Sequence, residues 1–204
     1  MSSLLRLARR LQALSQIGLQ FAENPFDRER YQELATIAAQ LLSTDDADAT
    51  AQLLSGWQTE IGYATPKIDV RGAVFKDDRI LLVRERSDGK WTLPGGWADV
   101  NEQPRESVEK EIVQESGYIA NAAKLAALYD RDRHNPPRYL FHIWKVFFIC
   151  DLVGGEARTS IETDGVDFFS LGALPALSLG RTTAAQIHRM HEHHLDRSLP
   201  ADFE

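Results

Sequence analysis

The sequence predicts an α+β protein, a mixed sheet preceded by an N-terminal helical hairpin, and three observations predict it. Apolar residues before Pro66 recur at helical spacing. From Pro66 onward the period shortens to the alternation of strands. One well-bounded helix over residues 104–116 interrupts those strands, with Val108 and Ile112 on a single apolar face. A boundary after residue 63 then separates a helical domain, residues 1–63, from a sheet-bearing domain, residues 64–204.

Each element has its own signal. Leu4, Leu7, Leu11, Leu14, Gly18 and Phe21 form a heptad-like seam on a first helix. Asn24-Pro25 breaks it, because proline disfavours helix at the residue before it. Tyr31, Leu34, Ala38 and Leu41 form the seam of a second helix, residues 43–48 are polar, and a third piece carries Leu54, Trp57 and Ile61. Ile68, Val70, Gly72, Val74 and Lys76 share one parity of a strand. Asp77-Asp78 marks a turn into Ile80-Leu81-Leu82-Val83, a buried strand ending in Arg84-Glu85-Arg86. Pro104 suits the first turn of the following helix, and Gly117 suits the left-handed position after its end. Strand-like runs return at residues 125–129, 139–152 and 166–171, and residues 182–195 read as a closing helix.

The 204 residues are 43% hydrophobic and 26% charged, an ordinary globular composition. The net charge of -7 disfavours non-specific binding to nucleic-acid backbones. The lone Cys150 excludes an internal disulfide and is read as a core residue. No apolar run is long enough for a membrane span. The first residues carry Arg6, Arg9 and Arg10 without an acid, which fits either a mitochondrial transit peptide or an amphipathic helix packed on a partner. The expected location is the cytoplasm.

The chemistry-bearing stretch runs from Leu93-Pro94-Gly95-Gly96 through Glu102 to Glu111 and Glu115. Glu111 and Glu115 are four apart and stand on one helical face, where like charges repel. Glu102 can fold toward the same region. Oxygen ligands with open positions favour Mg²⁺ or Mn²⁺. The paired glycines let the backbone approach a ligand, and their carbonyls can join a metal shell. By spacing alone, a solvated acidic helix face fits these carboxylates equally well.

These residues resemble the Nudix hydrolase box, G-x5-E-x7-R-E-U-x-E-E-x-G-U, where U is bulky and apolar. The match runs from Gly96 through Glu102, Lys110, Glu111, Ile112, Gln114, Glu115 and Gly117 to Tyr118, with Trp91-Thr92-Leu93-Pro94-Gly95 as lead-in. Lys110 stands where the family has arginine, keeping the charge without the planar fork. Gln114 stands where it has a glutamate, removing one charge from the cluster. The resemblance implies a Nudix-type mixed β-sheet sandwiched by helices. It implies metal held by Glu111 and Glu115 with Gly95 and Glu102, and catalysis through Glu111, Glu115 and Glu162. Glu162 is chosen as the extra loop carboxylate, with Asp164 in reserve. An ordinary acidic loop is the alternative.

Residues 62–71 and the run Gly95-Gly96-Trp97-Ala98-Asp99-Val100 resemble one bacterial subgroup, similar to CDP-choline pyrophosphatases and ADP-ribose pyrophosphatases, whose N-terminal helices contribute to a dimer. The implied function is metal-dependent hydrolysis of a nucleoside diphosphate linked to another moiety, with Mg²⁺ or Mn²⁺ as cofactor. A nucleotide substrate and a second copy of the chain are the expected partners. A nucleotide-sensing module with little turnover and an RNA-processing enzyme are the alternatives.

Arg71, Arg84, Trp97 and Arg131 are the expected substrate-binding residues. Arg131 or Arg133, in the charged run 130–138, would clamp a phosphate or ribose, unless that run is a solvated connector. Trp97, Tyr129 and Tyr139 suit either base stacking or core packing. His188, His191, His193 and His194 cluster in the closing helix, where His191 and His194 could share a face.

Overall fold

The structure is a computed structural model that describes residues 3–44, 46–58, 60–136 and 139–204. It divides into two compact units, Met1–Pro66 and Lys67–Glu204. Pro137 and Arg138 of the charged run, and Met1 and Ser2 of the arginine-bearing segment, lie outside the described residues.

The first unit holds α1 (Ser3–Phe21), α2 (Pro25–Ser43) and α3 (Ala47–Gln58). The Asn24 side chain caps α2 by accepting from the Asp27 amide at 2.8 Å, and Pro25 occupies the first turn, where no amide is needed. α1 and α2 close through small residues rather than through the leucine seam. Ala8, Ser15, Ala38 and Ala39 are buried. A Cβ at Gly18 would fall 2.2 Å from the Tyr31 ring, so only glycine allows that approach. Leu4, Leu7, Leu14 and Phe21 of the seam are exposed. Ile61 lies beyond α3 and is exposed, whereas Trp57 is buried.

The second unit begins with β1 (Lys67–Lys76) and β2 (Arg79–Glu85). Asp77 and Asp78 both have positive φ, 50° and 55°, the pattern of a two-residue hairpin whose twist matches its strands. The two strands pair only at Phe75–Ile80 and Lys76–Arg79 and then splay. β1 continues in parallel with β5 (Ile143–Gly155), which pairs antiparallel with β4 (Tyr118–Asp130). β7 (Asp202–Phe203) joins β4 in parallel. β2 turns instead to β3 (Trp91–Thr92) and β6 (Thr163–Ser170), both antiparallel.

Helices cover both faces. Val108 and Ile112 of α4 (Pro104–Ser116) pack with Val70, Val74, Leu81 and Phe148. Ile187 and Met190 of α6 (Ala184–Leu195) pack on the opposite face with Ala73, Phe75, Leu82 and Phe147. The parity predicted for β1 is therefore the α4-facing side. Tyr129 and Cys150 are core residues. His191 and His194 lie against Phe75, with ring centroids 5.3 and 4.5 Å away.

Several elements differ from the pattern. β4 begins directly after the Gly117 cap of α4, well before residue 125, because its short alanines give little apolar signal. β5 begins at Ile143, leaving Tyr139 exposed before it. The charged run opens as a helical turn, α5 (Arg131–His134), capped by the Asp130 side chain.

Candidate functional site

The place where β1 and β2 part is filled by the glycine segment. Pro94 and Gly96 carbonyls accept from the Gly72 and Val70 amides at 2.9 and 2.8 Å, and the Ala98 amide donates to the Ile68 carbonyl at 3.0 Å. The segment thus takes the β1 edge that β2 has left. Gly95 has φ +141°, and a Cβ there would stand 2.0 Å from the Val70 carbonyl oxygen. The site consequently needs glycine at this position.

α4 brings its last two turns against that segment. The Gly95 amide donates to Glu115 Oε2 at 2.8 Å, and the Glu111 carboxyl lies over Gly96, 3.3 Å from where a Cβ would be. Burial pushes the Glu115 carboxyl up to about 8, against the opposing pull of Arg71 and the Gly95 amide. Burial also raises Glu111, and Arg71 again opposes it. Glu85, at the end of β2, is buried and raised for the same reason while ion-paired to Arg181 Nε at 3.1 Å. Protonation or a cation relieves such a concentration of buried and half-buried carboxylates.

Arg71 is held from three directions rather than facing solvent. Nε and Nη2 donate to the two Asp69 oxygens at 2.7 and 3.4 Å, and Nη1 donates to the Leu93 carbonyl at 3.1 Å. The fully buried Lys145 donates to Asp69 Oδ2 at 2.7 Å. Burial lowers its ammonium to about 8. Burial alone would raise the Asp69 carboxyl, but Arg71 and Lys145 hold it below the usual carboxylate range.

Glu102 stands somewhat apart. Its Oε1 accepts from Lys110 Nζ at 2.6 Å, and the same ammonium reaches Asp99 at 2.8 Å. Those two bonds raise the Lys110 ammonium. Glu102 Oε2 is buried without a hydrogen-bond partner. Gln114 is exposed on the solvent side of α4. Glu162 is exposed in the bend just before β6, and its charge contributes to raising both Glu85 and Glu111. Asp164 is ion-paired with Arg84 Nε at 2.6 Å, and the Arg84 guanidinium lies 5.9 Å from the Trp91 ring centre.

Trp97 is exposed, bridges its backbone to Asp69, and stands 6.4 Å from Tyr139. Arg131 departs from the picture of a solvated loop cation. It is buried, donates Nε to the Gly180 carbonyl at 3.2 Å, and lies 5.4 Å over the Tyr139 ring. The structure therefore gathers Gly95, Glu111, Glu115, Arg71 and Glu162, and buries Arg131 against Tyr139 and the Gly180 carbonyl, near enough to Lys145 to act on its charge. Sequence reasoning missed Asp69, Glu85, Lys145 and Thr163. The first two were visible only as charged positions in or ending strands, and Lys145 was hidden in an otherwise apolar run.

The donor set suits a hard divalent cation. It offers carboxylate and carbonyl oxygens, an orphaned buried carboxylate oxygen on Glu102, and carboxyls that burial raises despite Arg71 nearby. Among the described residues no three His, Cys, Asp or Glu side chains form a closed metal cluster. No helix among the described residues is long and apolar enough to cross a membrane.

Comparison with known proteins places this geometry. Residues 65–190 match the family model of the NUDIX domain, and residues 2–56 match one described as a UDP-X-like, N-terminal oligomerisation domain. YjhB of Bacillus subtilis, provisionally named an ADP-ribose pyrophosphatase, is 40% identical over 188 residues, 92% of this chain and 90% of that one. The ADP-ribose pyrophosphatase of Methanocaldococcus jannaschii is 32% identical over 119 residues, 57% of this chain and 69% of that one. A crystal structure of an ADP-ribose pyrophosphatase from Streptococcus suis is 41% identical with a TM-score of 0.64, covering 69% of this chain and all of that one. A crystal structure of a UDP-X diphosphatase is 32% identical with a TM-score of 0.65, covering 100% of this chain and 98% of that one.

Proposed function

The chain belongs to the Nudix hydrolase family, and we propose that it cleaves the pyrophosphate of a nucleoside diphosphate linked to a second moiety, with Mg²⁺ or Mn²⁺, giving a nucleoside monophosphate and the phosphorylated second moiety. The observation that carries this reading is the Glu111–Glu115 face seated on Gly95-Gly96, with Glu115 fixed by the Gly95 amide. Nudix hydrolases generally use such divalent ions. When bound, the ion neutralises charge on the pyrophosphate oxygens and lowers the pKa of its water.

Glu111, Glu115 and the Gly95 carbonyl would hold the ion. Glu102, steered by Lys110, stands as a further ligand reached directly or through water. Glu162 would take the proton from the attacking water, acting as general base. Arg84 would meet the phosphate side of the substrate by exchanging its Asp164 partner. Trp97, exposed beside the glycine segment, would bear on the base or the second moiety. Arg71 would act through its position beside the carboxylates, since its donors are engaged by Asp69 and Leu93.

ADP-ribose, UDP-linked compounds and CDP-choline are the substrate classes to separate, the first two being those for which the relatives are named. The N-terminal helices would join two copies through the exposed Leu4, Leu7, Leu14 and Phe21. Incubating the pure protein in Mg²⁺ with ADP-ribose, UDP-glucose, CDP-choline and a short RNA, then identifying products, tests the reading. Release of a nucleoside monophosphate from one of the first three supports it. Cleavage of RNA alone, or no turnover of any of them, refutes it.

A further inference from the structure

The loop bearing Glu162 is fastened to the helix bearing Glu115 through one side-chain hydroxyl. Thr163 is fully buried, and its Oγ1 donates to the Glu115 carbonyl at 2.8 Å. That carbonyl lies in the last turn of α4, where helical carbonyls lack an intrahelical amide. Thr163 Oγ1 also accepts from the Ser160 amide at 3.1 Å and pairs with Ser160 Oγ at 3.0 Å. Ser160 Oγ in turn accepts from the Glu162 and Thr163 amides, both at 3.1 Å.

Hydrogen accounting gives this network a direction. A hydroxyl has one hydrogen and two lone pairs. Ser160 Oγ accepts twice, so its hydrogen points to Thr163 Oγ1. Thr163 Oγ1 accepts from Ser160 twice, so its own hydrogen goes to Glu115. Every hydrogen and lone pair is used, and the chain of bonds runs from the Glu162 amide to the Glu115 backbone. The other side of the loop is tied to β2. The Arg86 amide donates to the Glu162 carbonyl at 2.9 Å, and the Arg86 guanidinium reaches the Ser160 carbonyl at 3.4 Å.

We propose that Ser160 and Thr163 are a positioning pair that sets the Glu162 carboxylate against the Glu111–Glu115 face for the reaction. This rests on the reading of Glu162 as the proton acceptor. Both hydroxyls use their hydrogens and lone pairs within the loop and on the Glu115 carbonyl. The pair acts by holding the loop backbone in register with the end of α4, so that the loop carboxylate and the helix carboxylates share one frame. A displacement of about 1 Å from a productive geometry can cost up to about 100-fold in rate.

A double-mutant cycle tests it. Thr163→Val removes the hydroxyl at nearly constant shape, Thr163→Ser restores it, and Glu162→Gln removes the carboxylate charge. The expected result is a kcat roughly 10- to 100-fold lower in Thr163→Val with little change in KM, and recovery in Thr163→Ser. In the Glu162→Gln background, Thr163→Val should have no further effect on kcat, because the group it positions is already disabled. Ser160→Ala, which leaves the Thr163–Glu115 bond in place, runs through the same cycle if Thr163→Val does not fold. A Glu162→Gln enzyme of full activity overturns both the role of Glu162 and the pair's action through it. A slow Glu162→Gln enzyme slowed again by the second substitution leaves Glu162 in place and overturns the positioning role alone. A Thr163→Val enzyme of unchanged kcat also overturns the positioning role.

Discussion

Replacing Gly95 by alanine should unfasten the site at its base, and the expected size follows from the geometry. A Cβ would stand 2.0 Å from the Val70 carbonyl oxygen and 2.9 Å from Arg71 Cα, both backbone atoms of a central strand. With φ at +141°, the position cannot rotate out of that contact without leaving its conformation. The segment must therefore lift away from β1. Lifting weakens the Val70–Gly96 and Gly72–Pro94 backbone bonds, each worth about 1 kcal/mol, and adds backbone strain of about 1–3 kcal/mol. Together these predict a loss of about 3–5 kcal/mol. For a unit of this size that is a fall of roughly 10–15 °C in Tm. The bond from the Gly95 amide to Glu115 goes with it, so turnover should fall as well. Gly96→Ala is the control. Its Cβ would meet only the flexible end of Glu111 at 3.3 Å, so stability should change by less than about 1 kcal/mol while kcat falls. Calorimetry and steady-state rates on both variants check this. A Gly95→Ala protein that melts with the parent would refute the close-approach argument.

Other expectations follow from single contacts. Glu115→Gln should keep the fold and lower turnover at least about 100-fold in saturating Mg²⁺, and parent-like rates would remove Glu115 from the site. Sedimentation at micromolar concentration should give about 46 kDa, twice the 23.0 kDa chain, and Leu7→Asp should halve it. Leu7 is the better probe than the half-buried Leu11 because it is exposed, and a monomeric parent would refute the dimer. Burial pushes the Cys150 thiol up to about 12, so near pH 9 the folded chain keeps a proton that the unfolded chain releases. Alkylation at that pH should track unfolding, and rapid labelling of the native protein would contradict the burial. Asp202 accepts from Arg189 Nε at 2.6 Å and Tyr129 Oη at 2.8 Å, and the Arg189 bonds above all hold its carboxyl well below the usual range. Its folded pKa is depressed, so its stabilisation is present above about pH 4 and lost as pH falls further. The Tm deficit of Asp202→Asn should therefore be full at pH 7 and shrink at pH 3, and an equal deficit at both would sink the assignment.

Local signals made several elements readable before any packing was known. Pro104 at the start and Gly117 at the end of α4 are demanded by the helix's own hydrogen bonding, and those two residues bounded it. The cap bears this out, since Gly117 takes the left-handed conformation and its amide donates to the Val113 carbonyl. The Asp77-Asp78 turn and the β1 parity are legible for the same reason, since both depend on neighbours within a few residues. The i, i+4 spacing of Glu111 and Glu115, next to a glycine pair, likewise follows from the helical period.

What the sequence could not decide depended on partners distant in the chain. Only the splaying of β1 from β2 leaves an edge for Gly95-Gly96 and brings Glu85 and Glu162 toward Glu111. Arg71 read as a cation facing substrate, but the parallel register of β1 on β5 sets Asp69 opposite Lys145 and draws Arg71 into a buried network. Arg131 read as belonging to a charged loop, and the Gly180 carbonyl and Tyr139 ring bury it. The α1 seam was legible as an apolar stripe, but which residues close the hairpin was not: Gly18 meets the Tyr31 ring, and Leu4, Leu7, Leu14 and Phe21 stay outward. Periodicity and capping are properties of a few consecutive residues, and the chain carries them everywhere it goes. Burial and ion pairing are properties of space, and they exist only once strands far apart in sequence lie side by side.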